Sequence, residues 1–338
     1  MVAVKNEGII LEPTGLSFES KAVLNPGCIE VNGIVHMFYR AVGPGNYSTI
    51  GYCQLKDNKV IKRLDHPVLV PEYDYEKQGM EDPRIVFLEG VYYLFYTAFD
   101  GRNARVAYAT SSDLMKFEKH GVISPNILYD DAEAIFRQHN LKEAYFLCKA
   151  DCEAIGGKGI LLWDKDAFLF PRRIKGKLAL VHRILPDIQI AYFDNFTDLT
   201  EAYWNDYLHH LQQHILLVPQ YPFEARNIGG GCPPIETLAG WLLIYHGTQE
   251  TADGVTYHAA ATLLDLKNPL KVIGRLKNPL FSPEETWEKT GNVDNVVFPT
   301  GAVVRNGRVY IYYGAADKLI AARSVDLTEL LTELKKTP

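Results

Sequence analysis

The sequence lacks any long apolar run, and this absence bears on membranes and on export. None of its 338 residues belong to a stretch of about eighteen consecutive apolar residues, the length that spans a bilayer as a helix. The first seven residues, MVAVKNE, also lack the uninterrupted apolar core of a signal peptide. The sequence therefore predicts a soluble, cytoplasmic protein that has no membrane partner.

Clustered positive charge is also missing. The formal net charge is −6, and no stripe of lysine and arginine is present that would neutralise the phosphates of a nucleic acid. We therefore expect no nucleic-acid partner. The hydrophobic fraction of 47% is typical of a globular protein with a full core, which excludes a disordered chain.

Signals for metal and nucleotide sites are absent as well. The five cysteines form no CxxC pair, so packing is favoured over zinc or redox chemistry. Three histidines at 209, 210 and 214 lack an HExxH pattern, and no metal site is predicted. The triple glycine at 229–231 precedes Pro233 and Pro234, which exclude the helix that a phosphate-binding loop requires.

Helical patterns are sparse, whereas strand patterns recur along the chain. Helices are predicted only near 198–216 and at 326–336. Six apolar and aromatic runs follow turn residues and end near tyrosine or histidine, which is typical of strands joined as hairpins. These runs cover residues 32–39, 90–96, 143–148, 176–182, 240–246 and 306–313.

The spacing of these runs predicts the architecture. Gly33 and Gly90 are 57 residues apart, Gly176 and Gly240 are 64 apart, and Gly240 and Gly307 are 67 apart. Such intervals suit one four-stranded blade per repeat. The third run breaks the rhythm and is interpreted as an inserted hairpin at 126–163. We predict an all-β fold, a single five-bladed β-propeller domain over 1–338 with this hairpin and a few peripheral helices.

Short segments rich in proline, glycine, asparagine and aspartate precede the strand runs. In a propeller the innermost strand of each blade begins beside the central channel, so these segments are expected to share one pocket. We therefore predict that Asn25, Asp82, Lys165 and Asp294 converge. The stretch Glu81-Asp82-Pro83-Arg84 is the main candidate for chemistry, with Pro83 favouring extended backbone at Asp82. Its alternative interpretation is a turn in which Arg84 forms a surface ion pair.

Several motifs in one order resemble glycoside hydrolase family 130, the β-mannoside phosphorylases and related mannosidases, which are five-bladed β-propellers. The resemblance runs from about residue 20 to 325, apart from the predicted hairpin. The motifs are Asn25-Pro26-Gly27, Tyr39-Arg40, Glu81-Asp82-Pro83-Arg84, His182-Arg183 and the segments 231–237, 240–247, 263–266 and 312–317.

The resemblance implies roles for individual residues. Asp82 is similar to the catalytic acid, whose proton is thought to pass through a sugar hydroxyl to the glycosidic oxygen. Its pKa would rise through repulsion from Glu81 unless Arg84 offsets it, and the sequence leaves the sign open. The residues that resemble the mannose-binding set are Asn25, Arg40, Glu81 and Asp317.

The phosphate-binding positions of the phosphorylases are similar to Lys165, Arg183 and His246, with Tyr257 nearby. Asn227 departs from the family, which generally has a basic residue there. Arg226 precedes it, and strand alternation would direct it to the other face.

The resemblance implies an inverting β-mannoside phosphorylase that yields α-mannose 1-phosphate. It needs an oligosaccharide substrate, inorganic phosphate as co-substrate and no cofactor, and it is a possible homo-oligomer. One alternative is an inverting β-1,2- or β-1,4-mannosidase in which Glu224 or Glu236 activates water. A second is a non-catalytic carbohydrate-binding propeller. Hydrolysis of arabinan or fructan, known for other five-bladed propellers, is not expected.

Overall fold

Antiparallel strands dominate the computed structural model, which describes residues 2–139, 141–252 and 254–336. The strands form five groups in chain order, and the first two groups are joined by one parallel bridge between Ser48 and Gly79. The first group contains β2 (Ala22–Val31), β3 (Ile34–Val42), β4 (Ser48–Lys56) and β5 (Lys59–Arg63), and it follows β1 (Val4–Leu11). The second contains β6 (Gly79–Leu88), β7 (Val91–Phe99), β8 (Ala104–Ser111) and β9 (Glu118–Val122).

The other three groups continue this pattern. The third contains β10 (Lys165–Leu169), β11 (Leu178–Arg183), β12 (Ile188–Phe193) and β13 (Ile215–Leu217). The fourth contains β14 (Asn227–Gly230), β15 (Ile235–Thr237), β16 (Gly240–Thr251), β17 (Gly254–Leu264) and β18 (Val272–Arg275), with β14 and β15 both paired to β16. The fifth contains β19 (Val297–Arg305), β20 (Arg308–Ala315) and β21 (Leu319–Asp326), and β1 pairs with β21 as its fourth strand.

Helices are few and lie between or after the strand groups. They are α1 (Tyr129–Gln138), α2 (Ala144–Gly156), α3 (Glu201–His209), the four-residue α4 (Thr286–Lys289) and α5 (Leu327–Lys335). Within the three described ranges, none of the helices combines the length and the apolar character that crossing a membrane requires.

In each group, the strand that pairs directly with the first strand is called the second strand, which is β16 in the fourth group. Both of its faces are buried, which explains the nearly continuous apolar runs. In β16, Trp241, Leu243 and Tyr245 pack towards the third group, whereas Leu242 and Ile244 pack towards the fifth. Side chains alternate between the two faces of a strand, so one apolar strand contributes to two cores. Five of the six sequence-predicted runs are these second strands β3, β7, β11, β16 and β20.

Hydrophobic clusters lie between consecutive strand groups and return to the start. Val23 and Tyr39 of the first group pack against Tyr312 and Ile320 of the fifth. The other clusters join the first group to the second, the second to the third, the third to the fourth and the fourth to the fifth. The mostly-β fold is thus confirmed, and each group is held by neighbours on both sides.

The hairpin expected at 126–163 is wrong, because the described residues of that segment form α1 and α2. The third of the six apolar runs, residues 143–148, lies at the start of α2, in which Tyr145, Cys148 and Cys152 are buried. These positions are three and four apart, which is the period of one helix face rather than that of a strand. The helices predicted near 198–216 and 326–336 are present as α3 and α5.

A buried carboxylate lies at each interface between groups and accepts hydrogen bonds from a side chain of the second strand. Glu76 illustrates this arrangement: it is fully buried and accepts from Tyr96 Oη at 2.5 Å and from Lys119 Nζ at 2.7 Å. The five sets, called the carboxylate clusters below, are Glu19-Tyr39-Arg63, Glu76-Tyr96-Lys119, Asp164-His182-Tyr207, Glu224-Tyr245-Arg275 and Glu288-Tyr313-Arg323.

These clusters fix the direction of the residue that follows on each second strand. Tyr39 precedes Arg40 and His182 precedes Arg183, so anchoring the aromatic ring at the interface turns the next side chain to the opposite face. Burial also raises the pKa of Tyr39, Tyr96, Tyr245 and Tyr313, which keeps their hydroxyls protonated as donors. The carboxylate clusters therefore orient Arg40 and Arg183 by anchoring the residues that precede them in the core.

Removing the cation from one cluster tests its contribution to stability. The Lys119→Met variant leaves the Glu76 carboxylate buried without its counter-charge, since the Lys119 side chain is 3% exposed. We expect the free energy of unfolding to fall by about 3–5 kcal/mol in urea titrations. The matched control is Lys116→Met at an exposed position nearby. Equal stabilities of the two variants would contradict the role of the cluster.

Candidate active site

One open cavity gathers side chains from all five strand groups. Its wall is mostly polar, and it contains carboxylates and cations together. The lining residues are Asn25, Arg40, Asp82, Lys165, Asp166, Arg183, Tyr257, Val293, Val296, Phe298 and Asp317.

In three of the strand groups, the first strand has a bulge with left-handed backbone that directs a side chain into this cavity. Asn25 in β2, Asp82 in β6 and Asp166 in β10 have φ values of 49°, 51° and 54°, and each lies in a break of the strand register. Such a bulge re-aims a side chain, and asparagine and aspartate tolerate left-handed backbone better than most residues. The extended geometry expected for Asp82 from Pro83 is therefore wrong, because the bulge overrides the preference of the residue before proline.

Asp82 lies between an amide and a guanidinium. Asn25 Nδ2 donates to Asp82 Oδ1 at 2.7 Å, and Arg40 Nη1 is 3.7 Å from the same oxygen. The Asp82 residue is 8% exposed, so it borders the cavity with limited access to water. A Cβ atom on Gly314 would lie 2.0 Å from Asn25 Oδ1, so only glycine leaves room for this amide.

Glu81 and Arg84, which are close to Asp82 in sequence, do not line the cavity. Glu81 forms ion pairs with Arg40 at 2.7 Å and with Lys165 at 3.4 Å, and it is not among the lining residues. Arg84 is fully buried and donates to the carbonyl oxygens of Asp82 and Gly231. The surface ion pair considered for Arg84 is therefore wrong, since this arginine ties β6 to the segment after β14.

Arg40 pairs with Glu81 and Asp82, and the other two lining cations, Lys165 and Arg183, lie with Tyr257 beside them. His246 lies behind this part of the wall, fully buried, with Nε2 3.2 Å from Arg183 Nη1. Burial, followed by the charges of Arg183 and Arg84, holds the pKa of His246 well below its usual range. His246 is thus neutral near pH 7 and contacts Arg183, and it does not supply the third cation that the sequence suggested.

Arg226 and Asn227 do not line the cavity. Arg226 Nη2 lies 2.9 Å from Asp151 Oδ2 of α2, so this arginine is turned to the inserted helices. Neither carboxylate considered as a hydrolytic base is available: Glu224 belongs to a carboxylate cluster, and Glu236 is exposed and paired with Arg172.

Asp317 completes the acidic part of the wall. Ala316 and Asp317 both have left-handed backbone, with φ values of 47° and 50°, in the turn between β20 and β21. Burial raises the pKa of Asp317 to about 6 against the attraction of Arg40, and the charges of Asp82 and Glu81 add to the rise. This carboxyl group is therefore costly to ionise, as expected for a side chain held in place for a ligand.

Sequence reasoning placed the segments of Asp166, Val293 and Phe298 at the shared pocket but did not assign these residues individually, and it missed Val296 and misplaced Asp294. The Asp294 carboxylate accepts from the backbone of Gly291 and is outside the cavity lining. Asp166 had a recognisable signal, since it lies near the start of the first strand of its group, as Asn25 and Asp82 do. Among the described residues, no group of three or more histidines, cysteines and acids has the arrangement of a metal site.

Comparison with known proteins gives one family over nearly the whole chain. The model of glycoside hydrolase family 130, described as beta-1,4-mannooligosaccharide phosphorylase, matches residues 9–336. A 1,2-beta-oligomannan phosphorylase of Thermoanaerobacter sp. (strain X514) is 35% identical over 339 residues, which cover 97% of each chain. A beta-1,2-mannobiose phosphorylase of the same organism is 34% identical, over 96% of this chain and 97% of the relative.

Solved structures agree on the fold. The beta-1,2-mannobiose phosphorylase of Listeria innocua, in complex with beta-1,2-mannobiose, has a TM-score of 0.74 at 22% identity and covers 98% of this chain and 99% of its own. Another neighbour, with a TM-score of 0.72 at 25% identity over 96% and 93%, is described with glycoside hydrolases of this family that target beta-1,2 mannosidic linkages in Candida mannan.

The raised pKa of Asp317 predicts a pH-dependent effect on stability. Between about pH 4 and pH 6 the folded protein holds a proton on this group that the unfolded chain has lost, so stability falls as the pH rises through that window. In Asp317→Asn this loss is absent. We expect the variant to exceed the parent by about 2 kcal/mol in free energy of unfolding above pH 7, and by little near pH 4.

Urea titrations at several pH values measure this difference, with Asp57→Asn as the matched control. Asp57 is exposed and has the same φ of 50°, so its replacement should give no pH-dependent difference. A constant offset between Asp317→Asn and the parent at all pH values would refute the assignment.

Proposed function

The chain belongs to glycoside hydrolase family 130, whose members act on β-mannosides, and we propose that it is an inverting β-mannoside phosphorylase. The observation that carries the proposal is the shared cavity of an acid, Asp82, and two cations, Lys165 and Arg183. A phosphorylase requires this combination, because phosphate is itself the nucleophile and needs positive groups to hold it.

The proposed reaction is a single displacement at the anomeric carbon. A phosphate oxygen approaches C1 of the terminal mannose from the face opposite the glycosidic oxygen and forms a bond to it. The bond between C1 and the glycosidic oxygen breaks at the same time. Asp82 is the source of the proton that the leaving oxygen takes up, passed through a hydroxyl group of the sugar as in the family. The products are α-mannose 1-phosphate and a saccharide shortened by one unit, and no cofactor is needed.

The other lining residues support binding of the two substrates. We assign Asn25, Arg40 and Asp317 to the mannose unit, since hydroxyl groups require paired donors and acceptors. Lys165, Arg183 and Tyr257 are assigned to phosphate. His246 acts on phosphate through Arg183, because it lies behind the wall, and Glu81 acts through its ion pairs with Arg40 and Lys165.

The linkage we propose is β-1,2. Two relatives that match this chain over 96% or more of its length carry names with β-1,2-linked substrates, whereas the description of the family model names β-1,4-linked ones. Both linkages therefore belong in the assays.

We propose that the five strand groups are the blades of a single β-propeller domain. Support comes from the hydrophobic clusters, which join each group to the next and the fifth to the first. The pairing of β1 with β21 adds support, because a strand from the start of the chain completes the last group.

Hydrolysis remains the second candidate, and two observations favour it. A structural neighbour is described with hydrolases of the family, and Asn227 stands where phosphorylases generally have a basic residue, while Arg226 is bound by Asp151. Against hydrolysis, Glu224 and Glu236 both lie away from the cavity lining, and the lining carboxylate Asp166 is ion-paired with Arg183. An inverting hydrolase needs a free base for water.

Phosphate dependence separates the two reactions. With β-1,2-mannobiose or β-1,4-mannobiose as substrate, we expect turnover to require inorganic phosphate and to yield mannose 1-phosphate of α configuration, measured by NMR. Release of free mannose at the same rate without phosphate would refute phosphorolysis and establish a mannosidase.

Replacement of the acid tests the assignment of Asp82. We expect Asp82→Asn to lower kcat by about 10²–10⁴-fold, because an amide cannot supply the proton that the leaving oxygen needs. Asp57→Asn, at a nearly equal backbone φ on the exposed surface, should retain full turnover. Full activity of Asp82→Asn would place the acid elsewhere or support a non-catalytic carbohydrate-binding role for this cavity.

A further inference from the structure

Asp166 is a buried carboxylate in the cavity wall that the proposed reaction does not use. It is 2% exposed and is presented by a left-handed bulge in β10, as Asp82 is in β6. Its surroundings differ, because Asp82 faces an amide and Arg40, whereas the oxygens of Asp166 lie 3.0 Å from Arg183 Nη1 and 3.6 Å from Arg84 Nη2. Asp166 thus lies between two guanidinium groups.

The two arginines differ in their freedom to move. Arg84 is fully buried and is held by the carbonyl oxygens of Asp82 and Gly231. The Arg183 side chain is 12% exposed at the cavity, and within the described part of the chain its buried Nε has no hydrogen-bond partner. Arg183 therefore has fewer fixed partners than Arg84 and is held less firmly.

Burial lowers the pKa of Arg84, and repulsion from the guanidinium group of Arg183 acts in the same direction. Asp166 offsets this repulsion from a position between them. His246 Nε2, 3.2 Å from Arg183 Nη1, accepts from the same guanidinium but carries no charge near pH 7. Among the described side chains, Asp166 is therefore the acid that is ion-paired with Arg183.

We propose that Asp166 is a positioning residue that holds Arg183 in the orientation in which it binds inorganic phosphate. The inference rests on the proposed phosphorolysis and names the group on which the phosphate affinity depends. A carboxylate near an anion site would by charge alone weaken phosphate binding. Positioning predicts the opposite sign, because loss of the carboxylate releases Arg183 under repulsion from Arg84.

The test measures how the rate depends on each substrate in Asp166→Asn. We expect the KM for phosphate to rise about tenfold or more, as when the outer partner of a ligand group is lost. The KM for β-1,2-mannobiose should stay within about twofold of the parent value, whereas a general structural defect would change the KM of both substrates. Asp57→Asn controls for replacing an aspartate by asparagine at a left-handed position. An unchanged or lowered KM for phosphate overturns the inference.

A double-mutant cycle shows whether Asp166 acts through Arg183. In the Arg183→Met background, Asp166→Asn should change the KM for phosphate by less than about twofold, since the group that it positions is already gone. An equally large rise in that background overturns the inference. Asp166→Ser is measured in parallel, and loss of cooperative unfolding in both Asp166 variants would assign this residue a purely structural role and overturn the inference as well.

The parent enzyme separates this inference from the function on which it rests. Turnover of β-1,2-mannobiose by the parent without any need for phosphate would overturn the proposed function, and the inference with it. Phosphate-dependent turnover in the parent, combined with a normal KM for phosphate in Asp166→Asn, would overturn the inference alone.

Discussion

The structure depends on five carboxylates that are buried at the interfaces between strand groups. A carboxylate taken out of water destabilises a fold by several kcal/mol unless donors surround it, so each interface is restricted to the relative orientation in which those donors reach it. Glu224 is an example: it is fully buried, and it accepts hydrogen bonds from Tyr245 Oη at 2.5 Å and from Arg275 Nη2 at 2.8 Å. Hydrophobic contact between sheets has no comparable directional requirement.

The cavity follows from this constraint together with the bulges of the first strands. The clusters orient the second strands, so that Arg40 and Arg183 extend from residues whose neighbours are anchored in the core. The bulges add Asn25, Asp82 and Asp166 from strands that lie far apart in sequence. Acidic and cationic groups are thereby held near one another without collapsing into a single ion-pair network, which suits a site that binds a neutral sugar beside an anion.

Much of the fold was readable because its strands are buried on both faces. Runs such as 241–245 are apolar or aromatic at every position, and their recurrence at similar intervals indicates repeated units. The run at 143–148 has the same composition but packs only one face, so composition alone did not distinguish the helix α2 from a strand. The three- and four-residue spacing of its buried residues identifies this segment as a helix.

The site was harder to read than the fold. Asn25, Asp82, Lys165 and Arg183 were identified through the family resemblance, and the structure brings them to one cavity. The protonation of His246 could not be read, since it depends on burial and on two arginines from other strands. The carboxylate clusters were also missed, because Glu76 and Tyr96 are 20 residues apart and their contact depends on how two sheets pack.

The position of bound phosphate tests the central claim most directly. We predict that a crystal structure of the protein with inorganic phosphate will show the anion in contact with Lys165 and Arg183, within reach of a sugar whose leaving oxygen faces Asp82. A cavity that stays empty at saturating phosphate, or an anion bound away from both cations, would contradict the account.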